Sequence, residues 1–221
     1  MLNVEHFGAG LAAELNAMLA GRIDAAALSR AVAHAAAAAE AVCRNRPMAC
    51  AAGCPHCCVL NVAVLLPEGL AIAAMLQAQL APAALDSLRQ RLATHSSWVR
   101  WMDDEERTAR TAYCPLLDAA GRCTVHPVRP LSCRGIASLD SSCCREAFNP
   151  VISDQERLVP ADLLRRMVYD EAFRALARAL RSGGLSDRSI DLVEGLRAFL
   201  ERPGCRELYL SGGELPGELW G

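Results

Sequence analysis

The chain has few aromatic residues, little net charge and no uninterrupted apolar run, and each shortage excludes something. Phe, Trp and Tyr make up 5% of its 221 residues, which, beside abundant Leu and Ala, favours helices over sheets. The formal net charge is −2, so there is no broad electrostatic footprint for nucleic acid. The most apolar stretch, residues 59–80, is interrupted by Asn61, Pro67, Glu68, Gln77 and Gln79. A membrane span needs roughly 20 predominantly apolar residues with few such breaks, so no membrane association is expected. Residues 1–10 include Glu5 and His6 and lack the basic-then-apolar order of a secretion signal; the expected compartment is the cytoplasm. A Gly-rich loop after a strand, a P-loop, a Ser–His–Asp arrangement and internal repeats are also missing.

Hydrophobic residues are 52% and charged residues 22% of the chain, a globular composition rather than a disordered one. The patterning predicts a mainly α fold: a small helical domain with a Cys-rich loop and hairpin core that binds metal. Residues 9–46 read as helix, with Asp24 as a cap and Arg44 and Arg46 near the end that favours cations. Residues 59–66 are β-branched enough to suggest a short extended segment. Pro67 opens a helix along Ile72, Leu76 and Leu80, and after Pro82 a second run passes through Leu85, Leu88 and Leu92. Residues 98–109 read as a further helix with Asp103, Asp104, Glu105 and Glu106 as a solvated face.

Residues 114–150 read as loop, hairpin and turn. A helix opened by Pro160 follows, then one capped by Ser186, then a poorly ordered tail over 211–221. This gives three regions: an N-terminal helical extension (1–46), a cysteine-cluster metal-binding domain with inserted helices (47–150) and a packed C-terminal helical region (151–221).

The cysteines carry the chemistry. Eleven of them, an odd number in a chain with no secretion signal, argue against a disulfide framework. The first group is Cys50-Ala-Ala-Gly-Cys54-Pro-His-Cys57-Cys58. Two residues between Cys54 and Cys57 let both sulfurs reach one ion. Pro55 suits the first residue of a new turn, which would place Cys54 where helix amides favour thiolate. Adjacent Cys58 is expected to point elsewhere, toward a second metal atom or into the core as a small hydrophobe. The second group is Cys114, Cys123 and Cys133, with turn chemistry over 118–121 that would bring Cys114 and Cys123 together across a hairpin. Four thiolates on one zinc, or on a four-iron cluster, leave about two net negative charges, and Arg122, Arg129 and Arg134 are placed to offset them. Cys144, of the Cys143–Cys144 pair, is a further candidate ligand. Cys43 and Cys205 read as structural, and His56 and His126 as solvent-facing.

The ordered set formed by these two groups, with Arg129-Pro130-Leu-Ser-Cys133-Arg134-Gly135 and Ser138-Leu-Asp, resembles the YkgJ-type cysteine-cluster family. Its members are described as zinc- or iron-chelating proteins, and flagellin lysine methylases carry a similar module associated with an iron–sulfur cluster. The likeness covers about residues 50–144. It departs from the family pattern in the three residues between Cys50 and Cys54 and in His126, where the family often has Tyr.

Seven or more candidate thiols exceed what one structural zinc takes. Together with the methylase likeness, this favours an iron–sulfur cluster over zinc or iron ions. The leading expectation is a metal-binding protein whose helical flanks serve as scaffold or as a protein-partner surface. An iron–sulfur-dependent enzyme of methyl-transfer or redox type and a metal-trafficking or sensing protein are the alternatives.

Overall fold

The computed structural model describes residues 3–149 and 158–220, and the fold is mainly helical. The N-terminal region is two helices rather than one: α1 (Val4–Met18) and α2 (Ala25–Cys43). The turn between them contains Gly21 with a left-handed φ of 113°, a conformation that costs glycine nothing. Asn3 and Asp24 cap the two starts through their side-chain oxygens, on the amides of His6 and Ala27.

A short strand β1 (Ala63–Leu65) pairs antiparallel with β2 (Ser189–Asp191), with Val64 opposite Ile190. The sequence suggests an extended segment at β1 but gives no sign of β2. Ser186 is not the cap of the following helix; Asp191 is, accepting from the amides of Val193 and Glu194. Each strand runs directly into a helix, β1 into α3 (Leu66–Gln79) and β2 into α9 (Leu192–Glu201). The two helices therefore start side by side. Their backbones come so close that a Cβ on Gly69 would lie 3.0 Å from the Gly195 carbonyl oxygen.

Helix α4 (Pro82–Val99) follows, and the run read as one helix over 98–109 is broken. Trp98 belongs to the last turn of α4, which ends at Val99, and α5 (Asp104–Ala109) starts afresh from an Asp103 cap. The short helices α6 (Leu131–Gly135) and α7 (Ser141–Ala147) lie within the cysteine region. Helix α8 (Leu163–Ser182) then packs against α1, α2 and α6, while α3 joins α2 to α9.

One hydrophobic core runs from Leu11 through Leu65, Leu131 and Leu176 to Leu219, and each fully buried leucine contributes roughly 1.5–3 kcal/mol. The tail belongs to this core. Helix α10 (Cys205–Leu210) is followed by Leu215 and Leu219, both buried, and Arg188 lies over the Trp220 ring. The expectation of a poorly ordered tail is thus corrected, because apolar contacts of Leu215 and Leu219 hold it. The 150/151 boundary read from the sequence lies outside the described residues. Among the described residues, no helix is long and apolar enough to cross a membrane.

Candidate metal centre

The two cysteine-bearing stretches meet through their backbones. The Cys114 amide donates to the Cys58 carbonyl at 2.8 Å. Gly53 and Gly121, both with left-handed φ, pack the 51–55 loop onto the 118–122 turn; a Cβ on Gly121 would stand 3.1 Å from the Gly53 carbonyl oxygen. The turn is built by Asp118, whose Oδ1 accepts from the amides of Ala120 and Arg122, and Leu117 bridges Cys123 across it. The hairpin expected from Asp118–Gly121 is therefore present.

Cys133 is placed by a different device. Glu68, fully buried on α3, uses one carboxylate oxygen to accept from the Leu65 amide at its own helix start. The other accepts from the Leu131 amide at the start of α6. The far end of α6 is fixed by Arg165 of α8, whose Nε donates to the Arg134 carbonyl at 2.8 Å. Arg165 is itself held by Glu40 at 2.8 Å. Ser132 adds a bond to the Ala63 carbonyl of β1. Four elements thus determine where one thiol points.

All eleven cysteines are free thiols. Cys57 and Cys58 sit on a 3-10 turn over His56–Val59 and act on each other electrostatically. That interaction favours the Cys57 thiolate and holds its pKa below the usual thiol value, while it and burial push Cys58 up. Burial pushes Cys114 and Cys133 each up to about 12, and raises Cys123 as well. Cys58 feels the charges of Cys57, Cys114 and Cys133, and Cys133 those of Cys114, Cys123 and Cys57. These five thiols are electrostatic neighbours. These thiols are half-buried, and desolvation makes them costly to ionise without a cation, which a metal would supply.

Cys144 is buried in α7, and its strongest thiol neighbours are Cys50, Cys54 and Cys57. Cys43 and Cys205 are buried in α2 and α10, in the helical core. Among the described residues, no group of three or more Cys, His, Asp or Glu side chains is gathered closely enough to hold a metal ion.

The three arginines separate. Arg122 is exposed and pairs with Asp118 at 2.8 Å. Arg134 donates to the carbonyls of Arg129 and Pro127, which clamps the loop before α6. Arg129 acts on three of the thiols, lowering Cys57, Cys123 and Cys133, whereas Arg134 acts on Cys123 alone among these three. It donates to the Cys133 carbonyl. Among the described residues, its Nε is the one buried side-chain polar atom with no hydrogen-bond acceptor. An orphaned cationic donor beside thiols fits an anionic, sulfur-rich occupant. Soft thiolates, partly shielded from water and near a guanidinium, suit zinc or iron.

Sequence reasoning missed Glu68, which reads as an ordinary acidic first-turn residue, and Ser138. Ser138 is 3% exposed, its amide donates to the Cys50 sulfur at 3.5 Å, and its hydroxyl donates to the Asp140 carbonyl at 2.8 Å.

Residues 49–145 match the family model described as "CxxCxxCC: Putative zinc- or iron-chelating domain". No curated protein and no solved structure matches the chain. The family match supports a zinc- or iron-chelating role for the segment.

Proposed function

We propose that this chain is a cysteine-cluster protein that holds an iron–sulfur cluster within residues 49–145. Its ligands are drawn from Cys57, Cys58, Cys114, Cys123 and Cys133, and the helical flanks act as scaffold. The observation that carries the reading is the Arg129 Nε, buried among these thiols with no acceptor. A bound cluster would supply the sulfide and net negative charge that suit such a donor. The five-thiol neighbourhood supports the same choice, since one structural zinc takes four ligands. When bound, the cluster supplies one-electron redox capacity or a rigid cross-link. The protein's own contribution is to shield it, offset its charge with Arg129 and fix Cys133 through Glu68 and Arg165.

Anaerobic purification of the full chain tests this. Broad visible absorption with iron and acid-labile sulfide is the expected result. A colourless protein containing zinc would replace the cluster with a closed zinc site, because a filled d shell gives no such bands. A spectrum that bleaches and recovers on reduction and reoxidation would identify redox work, and a centre lost only on unfolding a structural role.

A further inference from the structure

We propose that the aromatic face formed by Trp98, Trp101 and Tyr113, at the end of α4 and around α5, docks a second copy of this chain. The inference uses no thiol and stands apart from the metal reading.

Two of the chain's three tryptophans lie within four residues here, and neither is covered. Trp101 is 81% exposed, Trp98 46% and Tyr113 39%. Scattered apolar side chains on a surface are ordinary, but grouped aromatics mark a contact surface, where tryptophan and tyrosine supply large area for few rotatable bonds. Trp98 stands edge-on to the buried His95 ring at 6.4 Å, and the Met102 amide closes the turn that carries Trp101 onto the Val99 carbonyl.

The group is held on a fixed frame. Buried Arg107 donates from Nε to the Met102 carbonyl, accepts the Ala112 amide on its own carbonyl at 2.9 Å, and lies 3.7 Å from Asp191 at the end of β2. Trp101 and Tyr113 thus stand beside two residues tied to one arginine. Asp104 anchors α5 further by accepting from the Asn61 amide. Thr111 has a left-handed φ of 49°, which a β-branched residue keeps only where its surroundings impose it. A face built this rigidly loses little freedom on docking.

The surrounding charges select the occupant. Arg100 lies over the Trp101 ring at 5.2 Å, and Arg110 follows α5. Asp103, Asp104, Glu105 and Glu106 stand between them, all exposed. Among the described residues, Arg100, Arg110, Glu105 and Glu106 form no ion pair. A basic partner would meet the two arginines, and an acidic partner the four carboxylates. A copy of the same face turned through a two-fold axis sets each sign against the opposite one, the self-complementarity of an isologous contact.

Sedimentation velocity of the full chain over rising concentration tests this, reduced and with a chelator so that neither disulfides nor shared metal join chains. The native chain is expected to move from one-chain to two-chain mass. Trp98→Ala/Trp101→Ala should weaken association about 30-fold or more with an unchanged helical circular dichroism spectrum, and Trp101→Ala alone should act in the same direction if the double variant folds poorly. Arg100→Glu/Arg110→Glu and Glu105→Arg/Glu106→Arg should each associate poorly alone, and their equimolar mixture should form a mixed dimer about tenfold tighter than either. A native chain that stays monomeric at on the order of 100 μM, a dimer indifferent to the tryptophan changes, or a mixture no more associated than its components would overturn the proposal. A monomer whose tryptophan fluorescence responds to a synthetic Leu/Lys amphipathic peptide would also overturn it and assign the face to a basic partner.

Discussion

Replacing Glu68 by Gln separates the role of its charge from that of its shape. Burial lifts the Glu68 carboxyl from an ordinary 4.5 to about 7, against the opposing pull of the Leu131 and Leu65 amides. Its folded pKa is therefore raised, so between those values the native state holds a proton that the unfolded state lacks. The native state gains stability as pH falls from 7 toward 4.5 and loses it as pH climbs back through that window. At 1.36 kcal/mol per tenfold difference, the gap between 4.5 and about 7 amounts to about 3 kcal/mol. Gln is neutral in both states and contributes no such slope.

Urea unfolding of native and Glu68→Gln chains, reduced and with a chelator present, measures this at about pH 5 and about pH 8. The stability of the native chain relative to the variant should fall by about 2–3 kcal/mol over that interval. Thiol titrations are common to both chains and cancel in the difference. A difference that stays constant with pH would mean that the carboxyl ionises as if in water. The clamp between α3 and α6 would then be wrong.

Replacing Gly69 by Ala drives a methyl group into the Gly195 carbonyl at 3.0 Å. It should cost about 1–3 kcal/mol, seen as a lowered urea midpoint. Cys114→Ser should remove the metal, whereas Cys43→Ser, buried in α2 away from the thiol set, should keep the same metal content per folded chain; elemental analysis of both variants checks this. Arg129→Gln should retain a cluster but shift its reduction potential to more negative values, because a neighbouring cation favours the more negative reduced state; an unchanged potential in a redox titration would show that Arg129 does not face the centre.

Local signals in the chain are readable and long-range ones are not. Asp24 caps α2 as its sequence suggests, and Asp118 makes the turn that pairs Leu117 with Cys123. Those effects span a few residues and depend on propensity and side-chain reach alone. Gly21 is a weak break within an Ala-rich run, so two helices read as one. Strand β2 is three residues long and gains its conformation only from pairing with β1 across more than a hundred residues of chain.

The buried role of Glu68 is likewise invisible, since its second acceptor bond runs to Leu131. The thiol spacing identifies the chemistry of the centre. How the cysteine stretches are positioned depends on α8 and Arg165, which carry no motif, and on Ser138, whose contact with Cys50 the Ser138-Leu-Asp motif does not reveal. Arg122 and Arg129 look equivalent in the sequence, yet Arg122 pairs with Asp118 in solvent while Arg129 donates to the Cys133 carbonyl.

The most direct test is metal-edge X-ray absorption on the full chain purified anaerobically. A first shell made wholly of sulfur, at roughly 2.3 Å, and its loss when either Cys57 or Cys133 is replaced by serine, is the expected result. A shell of nitrogen and oxygen, or a sulfur shell that survives both substitutions, would contradict the convergence of the two cysteine stretches on one centre.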